Sequence, residues 1–205
     1  ARTPIASFMG SLSTLSAPQL GSSVIKSAFE RSGLEDMKMV EEVYMGNVVS
    51  ANIGQAPARQ ASIGAGIPFS TSCTTVNKMC GSGMQAIILA YNNLMAGASS
   101  IIIAGGMESM TNAPYILPKM RSGARIGHTE VKDHMFYDGL EDAYEQGKLM
   151  GVFAEKTAEK YSFSREAQDE FGDDFEAKMG AEAVRDVLGH INLEDELEDL
   201  YDQVH

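Results

Sequence analysis

The sequence of 205 residues contains no tryptophan and only two cysteines. Cys73 and Cys80 are too few to form the disulfide framework of a small secreted domain, and no nearby histidine completes a zinc-binding pattern. Free thiols persist in reducing compartments, which predicts a cytoplasmic protein or, alternatively, one of the mitochondrial matrix. We therefore expect a domain that its apolar core stabilises, without a metal ion.

Long apolar runs are also missing from the chain. No stretch reaches the roughly 18 apolar residues that a membrane helix needs. The first ten residues, "ARTPIASFMG", do not show the charged and then apolar pattern of a signal peptide. We expect no membrane partner, and the hydrophobic content of 44% is ordinary for a soluble globular protein.

Positive charge is scarce and the acidic residues are unevenly placed. The formal net charge is -12. Residues 1–164 hold 14 acidic and 13 basic side chains, whereas residues 165–205 hold 14 acidic and 3 basic ones. Neither part offers the positive face that phosphate binding requires, so nucleic acid is excluded as an expected partner.

Hydrophobic periodicity predicts the first elements. Residues 18–32 carry apolar side chains at helical spacing, and Gly33 follows as a stop signal. The stretch "VEEVYMGNVVS" is typical of an extended segment, in which we expect Val43, Met45 and Val48 to point inward.

The middle of the chain predicts alternating strands and helices. After a short helix in "ARQASIGAG", residues 69–76 are rich in β-forming side chains and predict a strand. A helix in residues 83–97 and a buried strand in "SSIIIAGGMES" follow. The helical rhythm of residues 83–97 rests on five large side chains, Met84, Ile87, Ile88, Tyr91 and Met95. Strand, helix and strand together predict a βαβ unit.

The later part of the chain has weaker periodicity. Residues 111–148 contain scattered Pro, Gly and His, which favours either a functional excursion from the sheet or a poorly ordered region. Helical patterning resumes in residues 151–171, with Ser164 as a candidate helix cap.

Cys80 lies where the predicted strand turns into the predicted helix. The unsatisfied N–H groups of a helix start favour a thiolate, and Gly81 and Gly83 leave room for a substrate. Nearby N–H groups are suited to stabilise an oxyanion, and a thiolate suits acyl transfer from another thioester. Spacing alone leaves open a buried structural cysteine, and that alternative is favoured for Cys73 within the strand.

Four blocks of the sequence carry a family resemblance: "RTPIASFMGSLS", "GNVVSANIGQAPARQASIGAGIP", "TTVNKMCGSGMQAI" and "IIIAGGMESMTNAPYIL". They resemble the successive N-terminal blocks of the thiolases, specifically the acetyl-CoA acetyltransferases. The stretch from Lys132 to Phe171 is similar to the loop domain of the same family, in its bacterial form. The resemblance ends at about Phe171.

The resemblance implies the fold and its division into domains. It implies an α/β fold, with a thiolase-like N-terminal domain (residues 1–111) whose mixed, mainly parallel sheet is covered by helices. A loop domain (112–171) and an acidic helical tail of uncertain origin (172–205) follow. Thiolases carry an apolar strand before the "RTP" motif, so we expect the first strand to be absent and sheet edges to be unpaired.

The resemblance also implies the chemistry. An enzyme of this kind converts two acetyl-CoA molecules into acetoacetyl-CoA and CoA, or catalyses the reverse reaction. It implies that Cys80 is the nucleophile, acetylated by acetyl-CoA, and that its own backbone N–H contributes to an oxyanion hole. Met150 would line the acyl pocket with Leu149 beside it, although ordinary apolar packing explains both residues nearly as well. No cofactor is implied beyond coenzyme A thioesters as substrates, and the intact enzyme would be a homodimer or homotetramer.

Two motifs of the family's mechanism are missing. Thiolases use a histidine in a Gly-His-Pro setting and a second cysteine in a Cys-x-Gly-Gly-Gly setting, both in their C-terminal half, and neither occurs in these 205 residues. We interpret His128 and His134 as solvated or structural residues, and we regard His190 and His205 as still weaker candidates for a catalytic histidine. This chain is therefore predicted to be an incomplete enzyme that is inactive alone.

The tail after Phe171 departs from the family and faintly resembles a helical segment of the β′ subunit of bacterial RNA polymerase. Its apolar spacing predicts a helix with a solvated acidic face, supported by Leu188, Ile191, Leu193, Leu197 and Leu200. We assign it no chemistry. Two alternatives to the acetyltransferase remain open: a non-catalytic interaction or scaffold fragment, and a related condensing enzyme with another acyl length preference.

Overall fold

The structure is a computed structural model that describes residues 1–4 and 6–174. The predicted tail helix, with His190 and His205, lies outside the described residues. Within them, no helix is both long and apolar enough to cross a membrane.

The main sheet has three parallel strands: β1 (Glu42–Gly46), β2 (Ser72–Val76) and β3 (Ile102–Gly106). Their order is β2-β1-β3, so β1 is central. In this register Gly46 lies opposite Val76 on one side and Gly106 on the other. The three strands therefore end at one edge, and the predicted mainly parallel sheet is confirmed. In the described part of the chain, β2 and β3 each pair on one side only.

The helices that accompany the sheets are α1 (Ala17–Ser32), α2 (Pro57–Gly64), α3 (Ser82–Met95) and α4 (Met150–Tyr161). Helix α1 begins one residue before its predicted start at Pro18 and ends at its predicted stop, Ser32. The Ser16 side chain accepts a hydrogen bond from the Gln19 N–H, and the Gln19 side chain accepts one from the Ser16 N–H. Gly33 ends the helix in the left-handed conformation with φ of 76°. Gly33 is the stop signal that the sequence predicts, whereas sequence reasoning missed the capping box of Ser16 and Gln19.

The two faces of the sheet pack differently. Val43 and Met45 are fully buried and belong to a core cluster with Ile25 of α1 and Ala61 of α2. Because side chains alternate along a strand, Tyr44 points to the other face. There the Asn93 side chain of α3 donates hydrogen bonds to the Tyr44 hydroxyl (2.7 Å) and to the carboxylate of Glu42, which also accepts from the Tyr44 hydroxyl. The Glu42 hydrogen bond, together with burial, raises the pKa of Tyr44.

Helix α3 uses small side chains to pack against the sheet. Ser82, Ala86 and Ala90 are its buried residues. The large apolar residues whose rhythm predicts the helix lie on its exposed side, from Met84 (70% exposed) to Tyr91 (60% exposed). The pattern therefore predicts the helix correctly, but its large residues do not form the face that contacts the sheet.

Two predictions at the ends of strands need correction. Val48, expected to point inward, is only partly buried, and Val49 is the buried residue. The chain leaves β1 after Gly46, so strand alternation no longer decides which side chain points inward. The strand predicted from Phe69 begins at Ser72, because residues 69–70 form a turn that leaves Phe69 73% exposed.

Residues 111–148 form an excursion built from short elements. An antiparallel pair joins β4 (Tyr115–Ile116) and β5 (Lys132–Asp133). Short 3-10 turns and the π-helical turn Phe136–Leu140 surround the pair. After α4 the chain is again helical in residues 165–174. The Ser164 hydroxyl accepts a hydrogen bond from the Ala167 N–H (3.2 Å), which confirms the predicted cap.

Candidate active site

Cys80 lies in the short turn between β2 and α3, and its side chain is exposed. The alternative of a buried structural cysteine is therefore wrong for this residue. Cys73 within β2 is only partly buried and packs against the core cluster. The two thiols thus have different surroundings, in the direction that the sequence predicts.

Hydrogen bonds across the turn determine its shape. The Lys78 N–H donates to the Ser82 hydroxyl (2.8 Å), which itself donates to the Met79 carbonyl (2.6 Å). The Met79 N–H donates to the Asn77 side chain (3.1 Å). Met79 has a φ of 46°, a left-handed conformation that a non-glycine residue adopts only when its surroundings enforce it. Cys80 therefore follows a residue held in a strained conformation.

Cys80 lies directly before the N-terminal end of α3. The N-cap of α3 is Gly81, and no side chain caps this helix start. The first N–H groups of a helix carry a partial positive charge and are suited to an anion. The arrangement suits a thiolate or an oxyanion at this end of α3.

A cleft of about 330 Å³ lies at Cys80, along the carboxyl ends of β1 and β3. In open parallel sheets, ligands bind at this edge. The residues that line the cleft are Gly46, Asn47, Val48, Met79, Cys80, Ser82, Gly83, Gly106, Met107 and Glu108. Of the predicted site residues, Cys80 and Gly83 line the cleft.

Gly46 brings the start of α3 against the sheet. A Cβ at this position would lie 2.6 Å from both the Gly83 nitrogen and the Ser82 carbonyl carbon, which are backbone atoms. By contrast, a Cβ at Gly81 would meet only the Lys78 carbonyl oxygen, at 3.4 Å. Sequence reasoning identified Gly81 and Gly83 but missed Gly46, the glycine that this close approach requires. A glycine at the end of a buried strand was the available signal.

Glu108 is a second site residue that sequence reasoning missed. Its carboxylate accepts hydrogen bonds from the Val48 N–H (2.9 Å), the Val49 N–H (3.2 Å) and the Asn47 side chain (2.7 Å). Burial raises the pKa of Glu108, while its hydrogen bonds with the Val48 and Val49 N–H groups act in the opposite direction. A signal was present, because Glu108 is the first charged residue after the uncharged stretch 79–107.

His134 has a structural position, as one of the two readings for it predicted. It is 7% exposed, and its Nε2 accepts a hydrogen bond from the Ala51 N–H (3.2 Å). Because Nε2 accepts, Nδ1 carries the proton and donates to the Asp138 carboxylate (2.6 Å). His134 thereby joins the excursion to the loop after β1, whereas His128 is exposed.

Leu149 and Met150 lie at the start of α4. Leu149 is the N-cap residue of that helix and Met150 its first residue, 40% exposed. Neither lines the cleft at Cys80. Their role in an acyl pocket stays a prediction. In the described part of the chain, no group of three or more His, Cys, Asp or Glu residues could hold a metal ion.

The fold and the turn define a parallel α/β domain that presents a cysteine at a strand-to-helix turn. The family model of the thiolase N-terminal domain matches residues 1–188. The chain belongs to this family. The match extends beyond the boundary at about residue 171 that the sequence predicted.

Named relatives agree with this assignment. The chain is 54% identical over 170 residues to an acetyl-CoA acetyltransferase of Schizosaccharomyces pombe, covering 83% of this chain and 42% of the relative. It is 52% identical over 171 residues to acetyl-CoA acetyltransferase 1 of Arabidopsis thaliana, covering 83% of this chain and 41% of the relative. The chain therefore spans less than half the length of the curated relatives that it matches.

A solved structure gives the same result for the fold. The crystal structure of the Acat5 thiolase from Ascaris suum in complex with coenzyme A matches with a TM-score of 0.75 and 45% identity. The match covers 81% of this chain and 42% of that one. The predicted α/β thiolase fold is thus confirmed.

Proposed function

We propose that this chain is the nucleophile-bearing part of an acetyl-CoA C-acetyltransferase. The observation that carries the proposal is the exposed thiol of Cys80 at the start of α3, beside a cleft at the ends of the strands. Membership of the thiolase family and relatives named acetyl-CoA acetyltransferase support the choice of substrate.

The proposed reaction has two stages. The Cys80 thiolate attacks the carbonyl carbon of acetyl-CoA, a carbon–sulfur bond to the enzyme forms, and CoA leaves as a thiolate that takes up a proton. A second acetyl-CoA loses a methyl proton, and its carbanion attacks the acetyl group on Cys80. The products are acetoacetyl-CoA and the regenerated Cys80 thiolate. N–H groups at the start of α3, with that of Cys80 itself, are suited to stabilise the oxyanion.

The proposal divides the chemistry between this chain and the rest of an intact enzyme. In thiolases a histidine of the C-terminal half activates the nucleophile, and a second cysteine there removes the methyl proton in the second stage; both motifs are absent from these 205 residues. We therefore expect acetylation of Cys80 without turnover. Met150 and Leu149 remain the proposed acyl-pocket residues.

Acetylation of the full chain tests the proposal. The chain is incubated with isotope-labelled acetyl-CoA, digested, and the peptide that holds Cys80 is examined for one added acetyl group. Cys80→Ser should abolish the label, and Cys73→Ser, the matched control, should retain it. No adduct on the unsubstituted chain, or equal labelling of both cysteines, would refute the proposal.

A second candidate is a non-catalytic interaction fragment, which the exposed apolar side of α3 favours. Met84, Ile87 and Tyr91 lie more than half exposed on that side. Size-exclusion chromatography combined with a CoA-binding measurement distinguishes the two candidates. A well-behaved species without affinity for CoA would support the interaction fragment, and CoA binding would support the enzyme.

We also propose the cellular setting of the intact enzyme. The two free thiols suit the reducing cytoplasm, with the mitochondrial matrix as the alternative. A homodimer or homotetramer is proposed from the resemblance to thiolases. Light scattering on the intact protein would measure the number of subunits.

A further inference from the structure

Glu108 stabilises the loop that follows β1 by accepting three hydrogen bonds from it. Its Oε2 accepts from the Val48 N–H, and its Oε1 accepts from the Val49 N–H and the Asn47 side chain. Both oxygens of the carboxylate are therefore engaged, and two of the three donors are backbone groups. A carboxylate that accepts several N–H bonds holds its partners more strongly than a neutral acceptor does.

Asn47, directly after β1, connects this network by hydrogen bonds to the ends of β2 and β3. Its backbone N–H donates to the carbonyl of Val76 (3.0 Å), the last residue of β2. Its side-chain nitrogen donates to Glu108 (2.7 Å) and to the carbonyl of Met107 (3.2 Å), directly after β3. Rotating the amide would break both side-chain bonds, so its orientation is fixed. The network keeps this orientation although Asn47 Oδ1 is buried without a hydrogen-bond partner in the described structure.

The same loop contacts the Cys80 turn at both of its ends. At the start of the turn, Asn47 holds Val76. At the other end, Gly46 lies against the backbone of Ser82 and Gly83, closely enough that a Cβ would be 2.6 Å away. The position of residues 46–49 thus determines where the turn between Val76 and Ser82 can lie.

We propose that Glu108 is a positioning residue for Cys80, acting through the Asn47 to Val49 loop. The inference rests on the proposed nucleophilic role of Cys80. Glu108 transfers no proton in this scheme, because both of its oxygens already accept hydrogen bonds from the loop. Its effect is to hold the start of α3 behind the sulfur.

Two substitutions of Glu108 distinguish the effect of its hydrogen-bond geometry from the effect of its charge. Glu108→Gln keeps the length of the side chain but removes its charge, and Glu108→Asp keeps the charge but shortens the reach to the two backbone N–H groups. Glu41→Gln is the matched control, because the Glu41 carboxylate accepts the Ser100 N–H (2.7 Å) between the beginnings of β1 and β3. That bond also joins β1 and β3, at the edge away from Cys80.

Hydrogen exchange of the full chain measures how readily the turn opens. Both Glu108 variants should speed exchange in a peptide covering residues 76–83 by about tenfold, equivalent to ~1.4 kcal/mol of local opening free energy. Glu41→Gln should leave that peptide unchanged, even if it lowers the overall melting temperature. Unchanged exchange of residues 76–83 in both Glu108 variants would overturn the proposal.

Alkylation by iodoacetamide measures the consequence for the sulfur. Cys73 serves as the reference thiol in the same molecule. The ratio of Cys80 to Cys73 alkylation should fall several-fold in Glu108→Asp, where the charge is retained, because the thiolate loses N–H groups held behind it. A ratio that changes only in Glu108→Gln would indicate a charge effect and overturn the proposal. Neither readout needs acetyl transfer, so failed acetylation would refute the proposed function, whereas these two readouts test separately whether Glu108 positions the Cys80 turn.

Discussion

Gly46→Ala tests the contact that places α3 against the sheet. The new Cβ would lie 2.6 Å from two backbone atoms of Ser82 and Gly83. Ordinary contact between such atoms begins at about 3.5 Å, so the helix start must move by roughly 1 Å. Backbone atoms at a helix start cannot move away as a flexible side chain would. Overpacking of this kind costs about 1–3 kcal/mol, which lowers the melting temperature of a chain of this size by roughly 2–12 °C.

Gly105→Ala is the matched control for that substitution. Gly105 is the residue before the last in β3, and a Cβ there would lie 3.7 Å from the Met45 sulfur, an ordinary contact. Thermal unfolding should show a lower melting temperature for Gly46→Ala and little change in melting temperature for Gly105→Ala. Gly46→Ala should also lower the alkylation rate of Cys80 relative to Cys73. If both variants melt alike and Cys80 reacts unchanged, the close approach at Gly46 does not position the turn.

Three further predictions concern other parts of the structure. Ser16→Ala should lower the free energy of unfolding by about 1 kcal/mol in urea titrations, because it removes the cap of α1. Ser23→Ala removes only a hydrogen bond to the preceding turn and should change that free energy little, so equal losses would contradict the capping argument. Ile87→Gln on the exposed side of α3 should leave the free energy of unfolding in urea titrations nearly unchanged, whereas Ala86→Gln on the buried side should lower it by about 1–3 kcal/mol; the reverse order would refute the assigned orientation of α3. Because burial raises the pKa of Glu108 in the folded chain, its contribution to stability is present at low pH and lost as the pH rises through the folded pKa. The stability of the unsubstituted chain relative to Glu108→Gln should therefore fall as the pH rises above the ordinary glutamate pKa of 4.5, and a rise would show that the hydrogen bonds outweigh burial.

The sequence predicts those features that short-range signals determine. Gly33 marks the end of α1, alternation identifies β1, and the order of strand, turn and helix places Cys80 in the turn before α3. These signals lie within a few residues of the structures that they determine, and each has a direct physical cause. The resemblance to thiolases supplied what spacing could not, namely the substrate class.

The features that the sequence did not predict depend on contacts between distant parts of the chain. The bond between Glu108 and the Val48 N–H joins residues 60 apart, and no local pattern connects them. The side of α3 that meets the sheet was not predicted for a related reason. A helical rhythm predicts a helix whichever side meets the sheet, and the fit of Ala86 and Ala90 against β-strands depends on how closely the helix approaches.

The separation between Cys80 and Glu108 has a consequence for biosynthesis. A ribosome adds the thiol 28 residues before it adds the carboxylate, as their positions in the chain show. Because the folded turn leaves Cys80 exposed, completing the chain does not shield the thiol from oxidants. What the later residue adds is the carboxylate of Glu108, whose hydrogen bonds hold the loop beside the turn.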